Sequence, residues 1–206
     1  MIKAVFFDFD GVLTTDKTGS TTTTRYISQK TGIGLSAVKA AFARHNTALT
    51  LGNTTHSEIW REVCDDLGQS LSSSLLHEAF ESTPLNKEMF TLARALRQAH
   101  LVGIITDNKK DRIDYLRRQH NLDALFDPVI VSAEVGSDKG EQNIFLTALR
   151  SAGVKACEAV FIDNNKENLI APDALGMKTF IHDDEKNDVQ LLVKRLQEIG
   201  VAIGEA

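Results

Sequence analysis

The stretch VFFDFDGVLT at residues 5–14 ends an apolar run on two acids that stand two positions apart. Most of residues 2–7 are apolar, which predicts a strand covered on both faces in a parallel sheet. Asp8 and Asp10 then lie at the carboxyl end of this strand, the edge where open α/β sheets bind ligands. Their side chains point the same way, and Gly11 lets the backbone turn closely beside them. Two like charges so close together indicate a bound cation or a shared proton, although an ordinary polar turn after a strand has the same pattern.

Composition narrows the class of protein. A chain of 206 residues can form one sizeable core with room for a second small unit. The 28 acidic residues outnumber the 23 basic ones, and no basic block occurs, which disfavours nucleic acid and membranes as partners. No stretch approaches the roughly 18 apolar residues of a membrane span, and the first apolar run is too short for a signal peptide, so we expect a cytoplasmic protein. Cys64 and Cys157 are far apart and are expected to be reduced thiols. The oligomeric state is not indicated.

From about residue 85 onward, strand-like and helix-like segments alternate. Four short runs rich in Val and Ile have the length of strands: residues 101–106, 128–132, 159–163 and 178–182. Three segments with helical spacing of apolar residues lie between or after them: residues 86–99, 140–151 and 188–199. With the first strand as a fifth member, this alternation predicts an α/β fold, a Rossmann-like doubly wound parallel sheet flanked by helices.

Residues 16–84 have a different pattern. Helical spacing occurs in residues 35–45, 56–67 and 72–81, and no convincing strand lies between them. We therefore predict a core of residues 1–15 and 85–206 and a small all-helical cap of residues 16–84 at the edge that carries Asp8 and Asp10, placed as a lid. The low-complexity GSTTTT at residues 19–24 is expected to be an extended connection into the cap rather than a hinge.

Polar residues also follow three of the later strands. Thr106 ends IIT, Asp163 and Asn164 end FIDN, and Lys139 follows the 128–132 strand. Each has an ordinary explanation as a loop hydroxyl, a helix N-cap or a surface lysine. Together at one sheet edge they suit phosphoryl transfer, in which a metal and a lysine neutralise charge while a hydroxyl and backbone N–H groups orient the phosphoryl group. One carboxylate can then attack phosphorus while a second serves as acid and base.

Four motifs, DFDGVLT, IITDN, DKGEQNIF and FIDNNKENLIAPDALGM, follow one another in this order. They resemble the four motifs of the haloacid dehalogenase-like hydrolase superfamily, and the subgroup they most resemble is the small sugar-phosphate and epoxide-hydrolase N-domain-like phosphatases. The predicted helical cap also falls where that superfamily's cap does. The resemblance covers essentially the whole chain and implies a phosphatase.

The resemblance implies a role for each matching residue. Asp8 would be the nucleophile and Asp10 the general acid and base, with Thr106 and Lys139 completing the catalytic set. The substrate-binding residues that it implies are Thr106, the backbone N–H groups of Asp107 and Asn108, and Lys139. The Mg²⁺ ligands that it implies are Asp8, the backbone carbonyl of Asp10, and the fourth motif with Asp163 and Asn164.

Two positions depart from the superfamily's pattern. Gly140 follows the lysine where proline is usual, which affects loop stiffness. Asn164 stands where a second acid is usual, and the spacing to Gly176 assigns it to the metal-ligand position. An Asn carbonyl is a suitable hard oxygen ligand for Mg²⁺, but it brings no charge.

We therefore predict a Mg²⁺-dependent phosphatase that hydrolyses a small phosphorylated metabolite, with sugar phosphates among the candidates, through an aspartyl phosphate. A phosphomutase on the same core and a non-catalytic phospho-ligand sensor remain alternatives. Asp10 argues against C–halogen hydrolysis, because the related dehalogenases lack an acid at that position. A receiver domain does not fit, because its paired acids end the first strand while its phosphoacceptor Asp ends a later one. It also has no helical insert.

Overall fold

The computed structural model describes residues 1–204, and its strands form a five-stranded parallel sheet in the order β3-β2-β1-β4-β5. The strands are β1 (Ala4–Phe7), β2 (Leu101–Thr106), β3 (Val129–Val131), β4 (Ala159–Asp163) and β5 (Lys178–Ile181). Each lies where the sequence predicts a strand, so the α/β Rossmann-like sheet is confirmed. The last two residues of the predicted core segment, 205–206, lie outside the described residues.

Helices account for most of the remaining chain. In chain order they are α1 (Gly19–Thr31), α2 (Leu35–Ala43), α3 (Asn46–Thr50), α4 (His56–Leu67), α5 (Ser74–Glu81), α6 (Lys87–Leu96), α7 (Lys110–His120), α8 (Ser132–Val135), α9 (Gln142–Ala152), α10 (Ile170–Ala174) and α11 (Val189–Glu198). The six helices predicted from apolar spacing are confirmed as α2, α4, α5, α6, α9 and α11. The sequence did not predict α1, α3, α7 or the short helices α8 and α10.

The sheet is covered on both faces, as its apolar strands require. Successive residues of a strand point to opposite faces, so Phe7 packs with α6, α7 and α11 while Phe6 packs with α9 and α10. Both phenylalanines are fully buried. The two-sided burial explains why the strands are nearly continuous apolar runs without a polar face.

The helices α1, α2, α4 and α5 surround an apolar cluster of their own, which contains Ile27, Val38, Trp60 and Phe80. The segment that holds them joins the sheet layer through two neighbouring connections, where the Thr15 N–H donates to the Pro84 carbonyl at 2.9 Å. The division of the chain into a core and a cap at residues 15 and 85 stays a prediction. We call residues 16–84 the helical segment.

The GSTTTT stretch is helical rather than extended, so that expectation was wrong. Thr18 caps α1 by accepting a hydrogen bond from the Thr21 N–H at 3.2 Å. The Thr22 hydroxyl donates to Asp16 at 2.7 Å, and the Thr24 hydroxyl donates to the Ser20 carbonyl at 2.7 Å. Threonine has a low helix propensity, but these bonds satisfy the hydroxyls of Thr22 and Thr24, and burial of one face of α1 outweighs the propensity. Within residues 1–204, no helix is both long and apolar enough to cross a membrane.

Candidate active site

A buried lysine joins two of the predicted site acids. Lys139 Nζ lies 2.7 Å from Asp8 Oδ2 and 2.7 Å from Asp163 Oδ2. Asp8 directly follows β1 and Asp163 ends β4, the neighbouring strand, so the parallel pairing sets the two carboxylates side by side. All three residues are buried. The structure thus brings together, within hydrogen-bond distance, residues that lie far apart in the sequence.

Burial and charge act in opposite directions on this group. Burial raises the pKa of Asp8 to about 8, with Lys139 opposing the shift and Asp163 adding to it. Burial alone would lower the pKa of Lys139, but the charges of Asp8, Asp163 and Asp107 outweigh it and raise that pKa. The lysine is therefore a fixed positive charge, while the ionised form of Asp8 needs further positive charge to be favoured.

Asp10 is held by an arginine that the sequence did not single out. Arg112, on α7, donates from Nη1 to Asp10 Oδ2 at 2.8 Å and from Nη2 to Asp10 Oδ1 at 2.9 Å. Asn108 Nδ2 donates to the same Oδ2 at 3.0 Å, and Asn108 Oδ1 accepts from Arg112 Nη1 at 2.9 Å. Such a two-pronged guanidinium–carboxylate contact fixes the orientation of the carboxylate as well as its position. Arg112 therefore positions Asp10.

The close packing of Arg112 explains a glycine at the start of α1. A Cβ on Gly19 would lie 2.3 Å from Arg112 Cζ. We expect Gly19→Ala to displace α1 or the guanidinium and to lower the free energy of unfolding by about 1–3 kcal/mol, the usual effect of overpacking. Urea denaturation measures this. Gly34→Ala is the matched control, because no atom lies within 4 Å of a Cβ there. Equal stability losses in the two variants would contradict the contact.

The remaining predicted residues line the same edge. Thr106, the last residue of β2, is buried, and it lines a cavity together with Asp8, Asp10 and Lys139. The Asp107 carboxylate accepts a hydrogen bond from the Lys139 backbone N–H at 3.0 Å, which ties the loop after β2 to the lysine loop. Burial raises the pKa of Asp107, opposed by Lys139. The cavity has a volume of about 710 Å³, and the helical segment forms its other side.

The two adjacent residues of the fourth motif, Asp163 and Asn164, lie in different environments. All four acceptor positions of the Asp163 carboxylate are taken, by Lys139, by the Asn165 N–H at 2.7 Å and by Asn168 Nδ2 at 3.1 and 3.2 Å. The Asn164 side chain instead lies over Gly11, where a Cβ would be 2.1 Å from Asn164 Nδ2. Gly11 has φ +79°, so glycine is required there for conformation and for space.

The oxygens near Gly11 fit a hard divalent cation. Each carboxylate oxygen of Asp8 has one N–H partner, from Phe9 or Lys139, and keeps a lone pair. Among residues 1–204, the Asn164 Oδ1 accepts no hydrogen bond, whereas its Nδ2 is 3.5 Å from the Lys17 carbonyl. In the same part of the chain, no group of three His, Cys, Asp or Glu side chains could hold a metal. The predicted Mg²⁺ ligands do not form such a group, because they include the side-chain amide oxygen of Asn164 and the backbone carbonyl oxygen of Asp10. Mg²⁺ accepts both kinds of oxygen.

The start of α7 also contacts the helical segment. Lys109 Nζ donates to Thr50 Oγ1 on α3. The Asp111 carboxylate pairs with His56 Nδ1 at 2.7 Å and accepts from the Ser57 N–H at 3.2 Å, at the start of α4. Burial would raise the pKa of Asp111, but the hydrogen bond and charge of His56 outweigh it and lower that pKa. The cavity is thus bridged by side chains from both of its sides.

With this geometry described, comparison with known proteins is informative. A model of the haloacid dehalogenase-like hydrolase family matches residues 2–176. The chain belongs to this family. The predicted resemblance is therefore confirmed over nearly the whole chain.

The curated relatives are distant. The sesquiterpene phosphatase astK of Aspergillus oryzae is 28% identical over 144 residues, which are 62% of this chain and 74% of that protein. The drimenol cyclase drtB of Aspergillus calidoustus is 26% identical over 162 residues, 68% of this chain. The match spans only 30% of the length of the cyclase.

Solved structures share the fold of this haloacid dehalogenase-like hydrolase. An HAD-like family hydrolase from Porphyromonas gingivalis has a TM-score of 0.75 and 22% identity, with 96% of this chain and 98% of that chain covered. An HAD family enzyme from Bacteroides thetaiotaomicron, solved in complex with magnesium and inorganic phosphate, has a TM-score of 0.72 and 20% identity, with 93% and 99% covered.

Proposed function

We propose that this hydrolase is a Mg²⁺-dependent phosphatase that cleaves a small phosphomonoester through an aspartyl phosphate on Asp8. The observation that carries the proposal is the buried contact of Lys139 with Asp8 and Asp163, 2.7 Å each, at the edge that also holds Asp10 and Thr106. The phosphatase among the relatives and the magnesium and phosphate in the Bacteroides enzyme support it.

In the first step, an Asp8 carboxylate oxygen donates an electron pair to phosphorus and the ester P–O bond breaks. The leaving alkoxide takes a proton from Asp10, which gives the free alcohol and the aspartyl phosphate. Lys139 offsets the negative charge that Asp8 and the phosphoryl group bring together. Arg112 and Asn108 hold Asp10, so Asp10 must release part of this contact to reach the leaving oxygen.

In the second step, a water oxygen attacks phosphorus and Asp10 takes the water proton. The bond between Asp8 and phosphorus breaks, which releases inorganic phosphate and restores both carboxyl groups. Thr106 and the backbone N–H groups of Asp107 and Asn108 hold the phosphoryl oxygens in both steps. A phosphatase transfers the phosphoryl group to water, whereas the phosphomutase alternative would transfer it to a second hydroxyl group.

The metal would be held by Asp8, the backbone carbonyl of Asp10 and the amide oxygen of Asn164. When bound, Mg²⁺ supplies positive charge for the phosphoryl oxygens and for ionised Asp8. Asp163, whose acceptor positions are all taken, positions Lys139 instead.

The proposal is tested with p-nitrophenyl phosphate and 2-chloropropionate, each with Mg²⁺ and with a chelator. We expect phosphate release that needs Mg²⁺ and no chloride release. Chloride release without phosphatase activity would assign the dehalogenase reaction to this site. Phosphate binding without turnover of any phosphomonoester would favour the sensor.

The missing charge at Asn164 gives a prediction specific to this chain. A unit charge about 4 Å from a cation contributes on the order of 4 kcal/mol at an effective dielectric of 20, doubled for a divalent ion, before desolvation is subtracted. We expect Asn164→Asp to bind Mg²⁺ at least several-fold more tightly than the wild type. Titration calorimetry with Mg²⁺ measures this without turnover.

Asn165→Asp is the matched control, because it adds the same charge one position along the exposed loop. We expect a smaller change in Mg²⁺ affinity there. Similar tightening in both variants would show a general charge effect and would remove position 164 from the metal ligands.

A further inference from the structure

We propose that the cavity holds a substrate with a second anionic group, a carboxylate or a second phosphate, which Lys109 binds while the first phosphate reacts at Asp8. This rests on the proposed phosphatase function and names the class of substrate. The chemistry sought is thus a small, polar phosphomonoester with two anionic groups.

The state of Lys109 is the first observation. Its side chain is half-buried in the cavity lining, and its Nζ donates to the neutral hydroxyl of Thr50. No carboxylate within residues 1–204 lies within 4 Å of this Nζ, whereas the neighbouring Lys110 pairs with Asp114 at 2.9 Å. Burial lowers the pKa of Lys109, opposed by Asp107 and Asp10. A desolvated cation without a close counter-ion is stabilised by an anion bound at its ammonium group.

The lining of the cavity gives a second observation. Thr23 is 2% exposed, and its hydroxyl has no hydrogen-bond partner among the described residues. Thr23 lies one turn after Gly19 on α1, on the face that packs against Arg112. The Arg112 Nε is likewise buried and unpartnered in the described chain. Both residues line the cavity, and leaving buried polar atoms unpaired is costly.

The helical side also carries further polar groups, beside the apolar side chains of Phe42, Ala43 and Leu51. It contributes hydroxyl, amide and ammonium groups, from Ser20, Thr21, Thr24, Lys39, Asn46 and Thr47. Lys39 is exposed at this side and, within residues 1–204, also has no carboxylate within 4 Å. These polar groups suit a hydrated, charged leaving group.

Binding can be separated from turnover in the Asp8→Asn protein, in which bound ligand is not consumed. Two matched pairs supply the second anion in different forms: 3-phosphoglycerate against glycerol 3-phosphate, and fructose 1,6-bisphosphate against fructose 6-phosphate. We expect at least one doubly charged ligand to bind tenfold or more tightly than its partner in calorimetry with Mg²⁺ present. The pair that shows the difference distinguishes a carboxylate from a phosphate.

A second experiment compares substitutions of Lys109 and Lys110 that are made in the Asp8→Asn protein. A charge-assisted hydrogen bond contributes on the order of a 10- to 100-fold preference, so we expect Lys109→Met to reduce the ratio of affinities within the pair by about that factor. Lys109→Arg should retain most of the ratio. Lys110→Met, which removes a neighbouring lysine that lies outside the cavity lining, should leave the ratio unchanged.

Equal affinities within both pairs would overturn the proposal, as would an unchanged ratio in Lys109→Met. If the affinity ratios appear as expected but the wild type releases no phosphate from any ligand, the anion site stands and the phosphatase function fails. If the wild type hydrolyses p-nitrophenyl phosphate but the two ligands of each pair bind with equal affinity, the phosphatase function stands and the anion site fails.

Discussion

Asp8→Asn is expected to abolish phosphatase turnover, with a loss on the order of 10⁴-fold or more, because an amide cannot serve as the attacking carboxylate. The fold is expected to survive. Lys139 keeps its contact with Asp163, and the amide oxygen can still accept the Phe9 N–H. Initial rates with p-nitrophenyl phosphate measure the loss of turnover, and thermal unfolding followed by circular dichroism measures whether the fold is retained.

The matched control is Asp114→Asn, the same chemical change on α7 at a residue that pairs with Lys110 outside the cavity. We expect it to retain the wild-type rate. If Asp8→Asn kept about a tenth of the wild-type rate while folded, Asp8 would not be the nucleophile.

Asp10→Asn has the second-largest expected effect. Loss of a general acid and base slows a reaction by roughly 10²- to 10⁴-fold. Alkyl phosphates need a proton for the leaving oxygen, whereas nitrophenyl phosphates need little help. In single-turnover phosphorylation we therefore expect a much larger loss for an alkyl ester than for the nitrophenyl ester. Equal losses would refute the acid role of Asp10.

The structure adds a stability effect to this variant. Asp10→Asn leaves the buried Arg112 without its counter-ion, and breaking one side of a buried ion pair lowers stability by about 3–5 kcal/mol. Part of any rate loss would then reflect unfolded protein. The ratio of the two esters, measured on one preparation, is independent of the folded fraction and isolates the chemical role.

The sheet and the edge that carries the candidate site could be predicted because they depend on local pattern and order along the chain. Apolar runs such as AVFID can only be buried strands, and parallel strands bring their carboxyl ends to one edge. The positions of Asp8, Thr106, Lys139 and Asp163 follow from that rule. The sequence placed Lys139 at the same edge as Asp8, but its contact with Asp163 was found only in the structure.

Arg112 and α1 could not be predicted, for different reasons. Arg112 lies in KKDRIDYLRRQH, where a charged run is typical of an exposed helix, and only its contact with Asp10 across the fold explains its burial. A signal was nevertheless present, since Arg112 lies four residues after Asn108, one helical turn away. The run of four threonines at residues 21–24 of α1 disfavours a helix locally, and tertiary burial overrides that preference.

Residues 108–112, which lead into α7, connect Asp10 with the helical segment. Asn108 and Arg112 hold Asp10, while Lys109 and Asp111, in the same five residues, hold α3 and α4. Substitutions that remove the contacts of Lys109 or Asp111 with the helical segment are therefore expected to alter the orientation of the Asp10 carboxylate as well.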